Sequence, residues 1–157
     1  DVFTGKSALF PFFLTIYYLK LILNKNCKGM KMSRKVFSAE GAVSVGPYSQ
    51  AVDAGDFVYF SGQTPLDSNT GKIINGNISA QTEQTFMNLF NVLKSAGLTS
   101  DDVIKVNVFL TDMNNFKNMN EIYSKKFNSP YPARTTIGVK ELPLGALIEI
   151  EMIAKRK

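Results

Sequence analysis

Two short segments late in the chain hold the residue types best suited to chemistry. Tyr131-Pro132-Ala133-Arg134-Thr135-Thr136 places an arginine just after a proline, and Leu147-Ile148-Glu149-Ile150-Glu151-Met152-Ile153 follows with glutamates alternating with aliphatics. A guanidinium stays charged at any relevant pH and its planar fork matches a carboxylate bidentately, which a lysine does not do equally well. Pro132 favours an extended approach, Thr135-Thr136-Ile137 favours strand, and a period of two puts Glu149 and Glu151 on one face with Ile150 and Met152 on the other. A cation and a carboxylate on two late strands can therefore meet in one pocket. On residue type alone, Arg134 equally suits an ion pair with a neighbouring strand, and the two glutamates suit a solvated strand edge.

Earlier segments add polar candidates. Tyr48 follows Gly46-Pro47, a turn dipeptide that can present a side chain at a strand end, where its phenol bonds a polar ligand and its ring walls a pocket, or where it is simply a buried tyrosine. Ser61-Gly62 allows close backbone approach, and equally a bulge or a packing contact. Asn120 lies four residues after Phe116 and three before Tyr123, inside an apolar stripe, so its amide needs a partner, in loop backbone or in a pocket. The chain has no histidine and one cysteine, Cys27. Zinc clusters, Cys/His pairs, Ser-His-Asp triads and disulfides are thereby excluded, and no metal or organic cofactor is called for.

The elements that must carry these residues are readable from period and punctuation. Residues 43–54 and 56–61 suit two antiparallel strands about a Gly55-Asp56 turn, and 65–77, rich in Gly, Asn, Asp, Ser and Pro, reads as a loop. Between Ser79 and Ala96, Thr82, Phe86, Leu89, Phe90 and Leu93 recur at three and four, which predicts an amphipathic helix capped near Gly97. Val103 to Thr111 alternates Ile104, Val106, Val108 and Leu110 against Lys105, Asn107 and Phe109. A second helix is expected over about 115–127, with Phe116, Met119, Tyr123 and Phe127 on one stripe, and two closing strands over 133–139 and 146–155. This pattern implies an α+β sheet with both helices on one face.

The chain of 157 residues, 45% hydrophobic and 20% charged, suits one domain over residues 36–157 plus an extension over 1–35. Residues 1–35 hold seven Lys/Arg against Asp1, a balance of +6. Residues 36–157 hold eleven against twelve Asp/Glu, a balance of −1, which together give the +5 of the whole. The domain thus lacks the positive field of a phosphate-backbone binder, and nucleic acid is not the expected partner. The apolar run Ala8 to Leu23, flanked by Lys6, Lys25, Lys28 and Lys31, is interrupted by Pro11 and Lys20 and is too short for a stable membrane span. It reads as a leader into an organelle or the secretory route, the alternative being an untargeted extension of a cytoplasmic protein starting near Met30 or Met32.

Gly46-Pro47-Tyr48-Ser49-Gln50-Ala51, Ser61-Gly62-Gln63, the Arg134 segment and the Glu149 segment, in this order, closely resemble the RidA/YjgF family of reactive-intermediate imine deaminases, over about 37–155. The resemblance implies a chorismate-mutase-like fold, a homotrimer packing its open sheet faces together, and ligand sites in the clefts between subunits. It implies hydrolysis of reactive 2-imino or enamine acids, such as 2-iminopropanoate and 2-iminobutanoate, to 2-oxo acids and ammonia, protecting against metabolite damage. Arg134 would hold the substrate carboxylate, Glu149 would position water, and Tyr48, Ser61, Gly62 and Asn120 would line the site, with Glu151 a structural neighbour. Thr136 stands where many members carry a cysteine. The rival readings are a non-catalytic, carboxylic-acid-binding sensor or chaperone-like trimer, and the endoribonuclease or translation inhibitor long attached to the family's name.

Overall fold

The computed structural model describes residues 33–41 and 46–157. The expected leader, up to residue 32, and the start of the first expected strand lie outside the described residues. Among them are eight strands: β1 (Lys35–Phe37), β2 (Ala51–Asp53), β3 (Phe57–Gln63), β4 (Leu66–Asp67), β5 (Lys72–Ile73), β6 (Val103–Leu110), β7 (Ala133–Gly138) and β8 (Ile148–Lys155). Two α-helices, α1 (Ile78–Ser95) and α2 (Phe116–Tyr123), lie between them in the chain. No helix among the described residues is long and apolar enough to cross a membrane.

Local sequence accounts for α1. Asn77 accepts a hydrogen bond from the Ala80 amide at 3.1 Å and starts the helix. At the other end Gly97, at φ +72°, donates to Lys94 O, and Leu98 donates to Leu93 O, the paired bonds of a glycine-terminated helix end. The buried face of α1, with Phe86, Leu89, Val92 and Leu93, joins a core that includes Val58, Phe60, Val106, Val108, Ile148, Ile150 and Met152 from the sheet. The buried Thr82 and Thr85 direct their hydroxyls to carbonyls one turn back, so burying them leaves no donor stranded.

The main sheet runs β1-β2-β3-β8-β6-β7, antiparallel except for the parallel β6/β7 pair that α2 connects. This is the expected mixed α+β architecture with two helices. The two closing strands are not neighbours, because β8 enters between β3 and β6 and leaves β7 on the edge. Glu149 and Glu151 do share the face opposite the buried Ile148, Ile150 and Met152.

Several expectations need correction. The first expected strand shrinks to Ala51–Asp53, and the expected loop contains the β4/β5 ribbon. The three-residue β1, too short to show a period, was not foreseen. Ile104 is 42% exposed rather than buried, because the β6/β8 register shifts between Val103 and Lys105. The second helix spans only Phe116–Tyr123, preceded by a 3-10 turn at Met113–Asn115. Phe127 is buried beyond its end, while Phe116 is exposed.

Candidate active site

Arg134 rises from the edge strand β7 on the helix side of the sheet. It stands level with Val106, which is fully buried beneath the helices, and cross-strand partners share a face. Its Nη1 donates to Asn120 Oδ1 at 2.8 Å, and its Cζ lies 4.3 Å from the Tyr123 ring centroid and 5.7 Å from that of Phe116. All three partners come from α2, where spacings of three and four put them along one side. Among the described residues Arg134 forms no salt bridge, so the alternative of an ion pair with a neighbouring strand is not what holds it. Asn120 is half-buried and spends its carbonyl oxygen on the arginine rather than on loop backbone. A cavity of about 410 Å³ opens here, lined by Asn120, Tyr123, Ser124, Tyr131, Pro132 and Arg134. Its cation keeps donors available to a carboxylate.

Glu149 lies on β8, on the other face. A second cavity, of about 380 Å³, is lined by Tyr48, Ser61, Gly62, Glu149 and residues that include Leu66, Pro143 and Leu144. The β3/β8 register shifts between Phe60 and Gln63, which takes Ser61-Gly62 out of regular pairing. A Cβ at position 62 would come within 2.8 Å of the Glu149 carboxyl carbon and overlap the carboxylate, so glycine is what lets this acid lie against the strand. Ser61 donates its hydroxyl to Ser49 O at 2.7 Å and its amide to Gln50 O at 2.9 Å, tying down the segment that presents Tyr48. Tyr48 itself is 45% exposed, not an ordinary buried tyrosine.

The two glutamates differ in a way their shared face conceals. Glu151 accepts from Asn107 Nδ2 at 2.8 Å. The Glu149 carboxylate accepts no hydrogen bond among the described residues. Burial pushes its carboxyl above the ordinary range, and the nearby Glu151 charge pushes it the same way. Such a carboxyl is suited to exchanging a proton with water.

Four of the predicted residues, Tyr48, Ser61, Gly62 and Glu149, therefore gather in one cavity, and Arg134 with Asn120 in another. The expectation that Arg134 and Glu149 meet in one pocket fails within a single chain. They face opposite sides of the sheet with β6 between their strands. Arg134 aligns through Val106 with Met152, three residues along from Glu149, so ideal strand spacings put the two Cα atoms roughly 14 Å apart. Tyr123 and Phe116, read from the sequence only as an apolar stripe, turn out to carry Arg134, and Leu144 was not singled out at all. An aromatic residue on the helix stripe adjoining Asn120 was the available signal for Tyr123. Among the described residues no cluster of three or more His, Cys, Asp or Glu is arranged to hold a metal.

Comparison with known proteins matches residues 39–156 to the family model described as endoribonuclease L-PSP. A RutC family protein of Pyrococcus horikoshii is 44% identical over 126 residues, 80% of this chain and 100% of that protein. A 2-iminobutanoate/2-iminopropanoate deaminase of Dermatophagoides farinae is 43% identical over 109 residues, 69% of this chain and 85% of that protein. Among solved structures, RidA from the Antarctic bacterium Psychrobacter superposes with a TM-score of 0.74 at 40% identity, covering 78% of this chain and 100% of the other.

Proposed function

The chain belongs to the RidA/YjgF family, the family described by the endoribonuclease L-PSP model, and from that premise we propose that it hydrolyses reactive 2-imino and enamine acids, such as 2-iminopropanoate and 2-iminobutanoate. The products are the 2-oxo acid and ammonia. The observation that carries this reading is Arg134: a guanidinium mounted on α2 by Asn120 and Tyr123, with no carboxylate partner among the described residues.

In this reading the site is shared between copies. Because Arg134 and Glu149 face opposite sides of one sheet, a substrate of four or so heavy atoms per arm touches both only if the β7 edge of one subunit docks beside the β8 cavity of the next. A closed ring of three subunits makes this contact three times and covers the open sheet faces. Those faces expose the large apolar side chains of Tyr59 and Ile137 beside Lys105, Asn107 and Glu151.

The chemistry needs little machinery. Arg134 fixes the substrate carboxylate in two parallel hydrogen bonds, which orients the protonated C=N carbon. Glu149 accepts a proton from water as its oxygen attacks that carbon, giving a carbinolamine, and returns that proton to nitrogen. It then takes the hydroxyl proton as the C–N bond breaks and the C=O bond forms, and passes it to the departing ammonia. The raised pKa of Glu149 makes its carboxylate a stronger base than an ordinary exposed one. Tyr48 and the freed backbone at Ser61-Gly62 wall the reacting centre.

The test couples an amino-acid oxidase to the protein and follows the loss of semicarbazone trapping as imine is consumed. Accelerated loss with wild type and none with Arg134→Ala supports the reading; equal trapping with and without protein defeats it. The matched family description makes RNA the competing substrate. Residues 36–157 balance at −1 and the chain has no histidine for an acid/base pair, so RNA cleavage is expected to be absent from the same preparation.

A further inference from the structure

The arginine is held by aromatic faces rather than by counter-charge, and the two rings that hold it differ in how firmly they are fixed. Tyr123 is only 4% exposed and packs against Phe127 at 5.1 Å and edge-on against Phe86 at 5.8 Å between centroids, so its ring is locked into the core. The Arg134 Cζ sits 4.3 Å from that ring's centroid. Phe116, 5.7 Å away and exposed, is a looser second wall. Asn120 accepts a hydrogen bond from Nη1 and so fixes one end of the guanidinium.

Resting on the carboxylate-binding reading above, we infer that Tyr123 is a positioning residue for substrate: its ring face holds the guanidinium plane so that the remaining N–H edge meets the incoming carboxylate. The ring carries this role and the hydroxyl does not. Tyr123 Oη is buried without a hydrogen-bond partner among the described residues, and it makes no bond to Arg134. A cation over a desolvated aromatic face is held well enough for its loss to weaken carboxylate binding by about tenfold. The attraction is to the ring, so phenylalanine should replace tyrosine and an aliphatic residue should not.

Phe90 supplies the control. It packs against Phe86 at 5.6 Å and Phe127 at 6.0 Å, in the same aromatic cluster, whereas the rings that face Arg134 are Tyr123 and Phe116. The experiment measures KM and kcat for 2-iminobutanoate, pyruvate affinity by calorimetry, and Tm, for wild type, Tyr123→Phe, Tyr123→Leu, Phe116→Leu and Phe90→Leu. Tyr123→Leu should raise KM and pyruvate Kd about tenfold with kcat little changed, while Tyr123→Phe stays within about twofold of wild type. Phe116→Leu, which spares the core, should raise both constants about threefold and keeps the inference testable if Tyr123→Leu does not fold. Phe90→Leu should lower Tm and leave KM alone. The inference is overturned if Tyr123→Phe is as impaired as Tyr123→Leu, if Phe90→Leu raises KM as much, or if the folded Tyr123→Leu and Phe116→Leu proteins bind pyruvate normally. Weakened pyruvate binding by a wild type that hydrolyses no imine would keep the positioning role and reject the deaminase reading. Normal hydrolysis with unchanged KM in the variants would do the reverse, and a wild type that neither hydrolyses imine nor binds pyruvate would reject both.

Discussion

The two cavities solve opposite electrostatic problems. On the helix side, Arg134 is surrounded by groups that favour its charge: a carbonyl oxygen from Asn120 and the faces of two aromatic rings. On the open side, Glu149 lies against the Gly62 backbone with no donor among the described residues, and both burial and the Glu151 charge disfavour its ionised form. The first arrangement is complete before a ligand arrives and suits binding. The second is electrostatically uncomfortable until something cationic or protic enters, and that suits proton transfer. In the proposed reading, one sheet carries a binding half and a reactive half without either compromising the other, because they never share a face.

Removing the binding half should have the largest effect. Arg134→Ala is expected to lower kcat/KM by about a hundredfold to a thousandfold, the loss of a two-pronged charged contact, and Arg134→Lys should recover little of it. Steady-state kinetics on oxidase-generated imines checks both. Wild-type activity in either variant would erase the distinction between the two halves.

The reactive half is tested by charge removal. Glu149→Gln is expected to lower kcat about a hundredfold while pyruvate binding changes little, and Glu151→Gln, whose partner is Asn107, should do much less. Equal losses from the two would show that their surroundings do not divide their labour. Activity should rise as pH passes upward through the elevated Glu149 pKa, a limb absent from Glu149→Gln. Stability runs the other way. A carboxyl whose folded pKa lies above its unfolded value holds more protons when folded, so stability falls as pH climbs through that window. Glu149→Gln should therefore flatten this fall and raise Tm at neutral pH, as thermal melts across pH would reveal.

Steric change sharpens the comparison further. Gly62→Ala puts a methyl into the Glu149 carboxylate and should cut kcat about tenfold at a stability cost of about 1–3 kcal/mol, with pyruvate affinity nearly unchanged. The smallest expected effect is on the helix side. Thr136 shares a face with Arg134 and buries a hydroxyl that has no partner among the described residues, so Thr136→Val should leave KM within about twofold and leave Tm equal or higher.

Much of this layout was legible beforehand, for identifiable reasons. The long α1 announced itself because four apolar residues and Thr82 repeat at helical spacing and Gly97 ends it. The alternation around Glu149 fixed its face, since a strand with one buried side has only one workable phase. What stayed hidden depends on contacts distant in sequence. No local pattern says that β8 inserts between β3 and β6, and that insertion is what separates Arg134 from Glu149. The role of Tyr123 was masked because a tyrosine on an apolar stripe packs identically whether or not a cation lies on its exposed face. Residue pattern alone leaves Glu149 and Glu151 alike, and only the family resemblance tells them apart, because their difference rests on Asn107, which lies 44 residues upstream of Glu151, and on a bulge at Gly62.

The central claim is that the two halves meet only between copies of the chain, and subunit mixing tests it most directly. Arg134→Ala and Glu149→Gln proteins, each nearly inactive alone, are unfolded together in equal amounts, refolded and assayed against each refolded alone. In a three-membered ring every mixed assembly contains one interface with an intact Arg134 facing an intact Glu149, so random mixing should restore about one quarter of wild-type activity. Activity no greater than the average of the two separate variants would contradict the account, since it would place both residues' contributions within one chain.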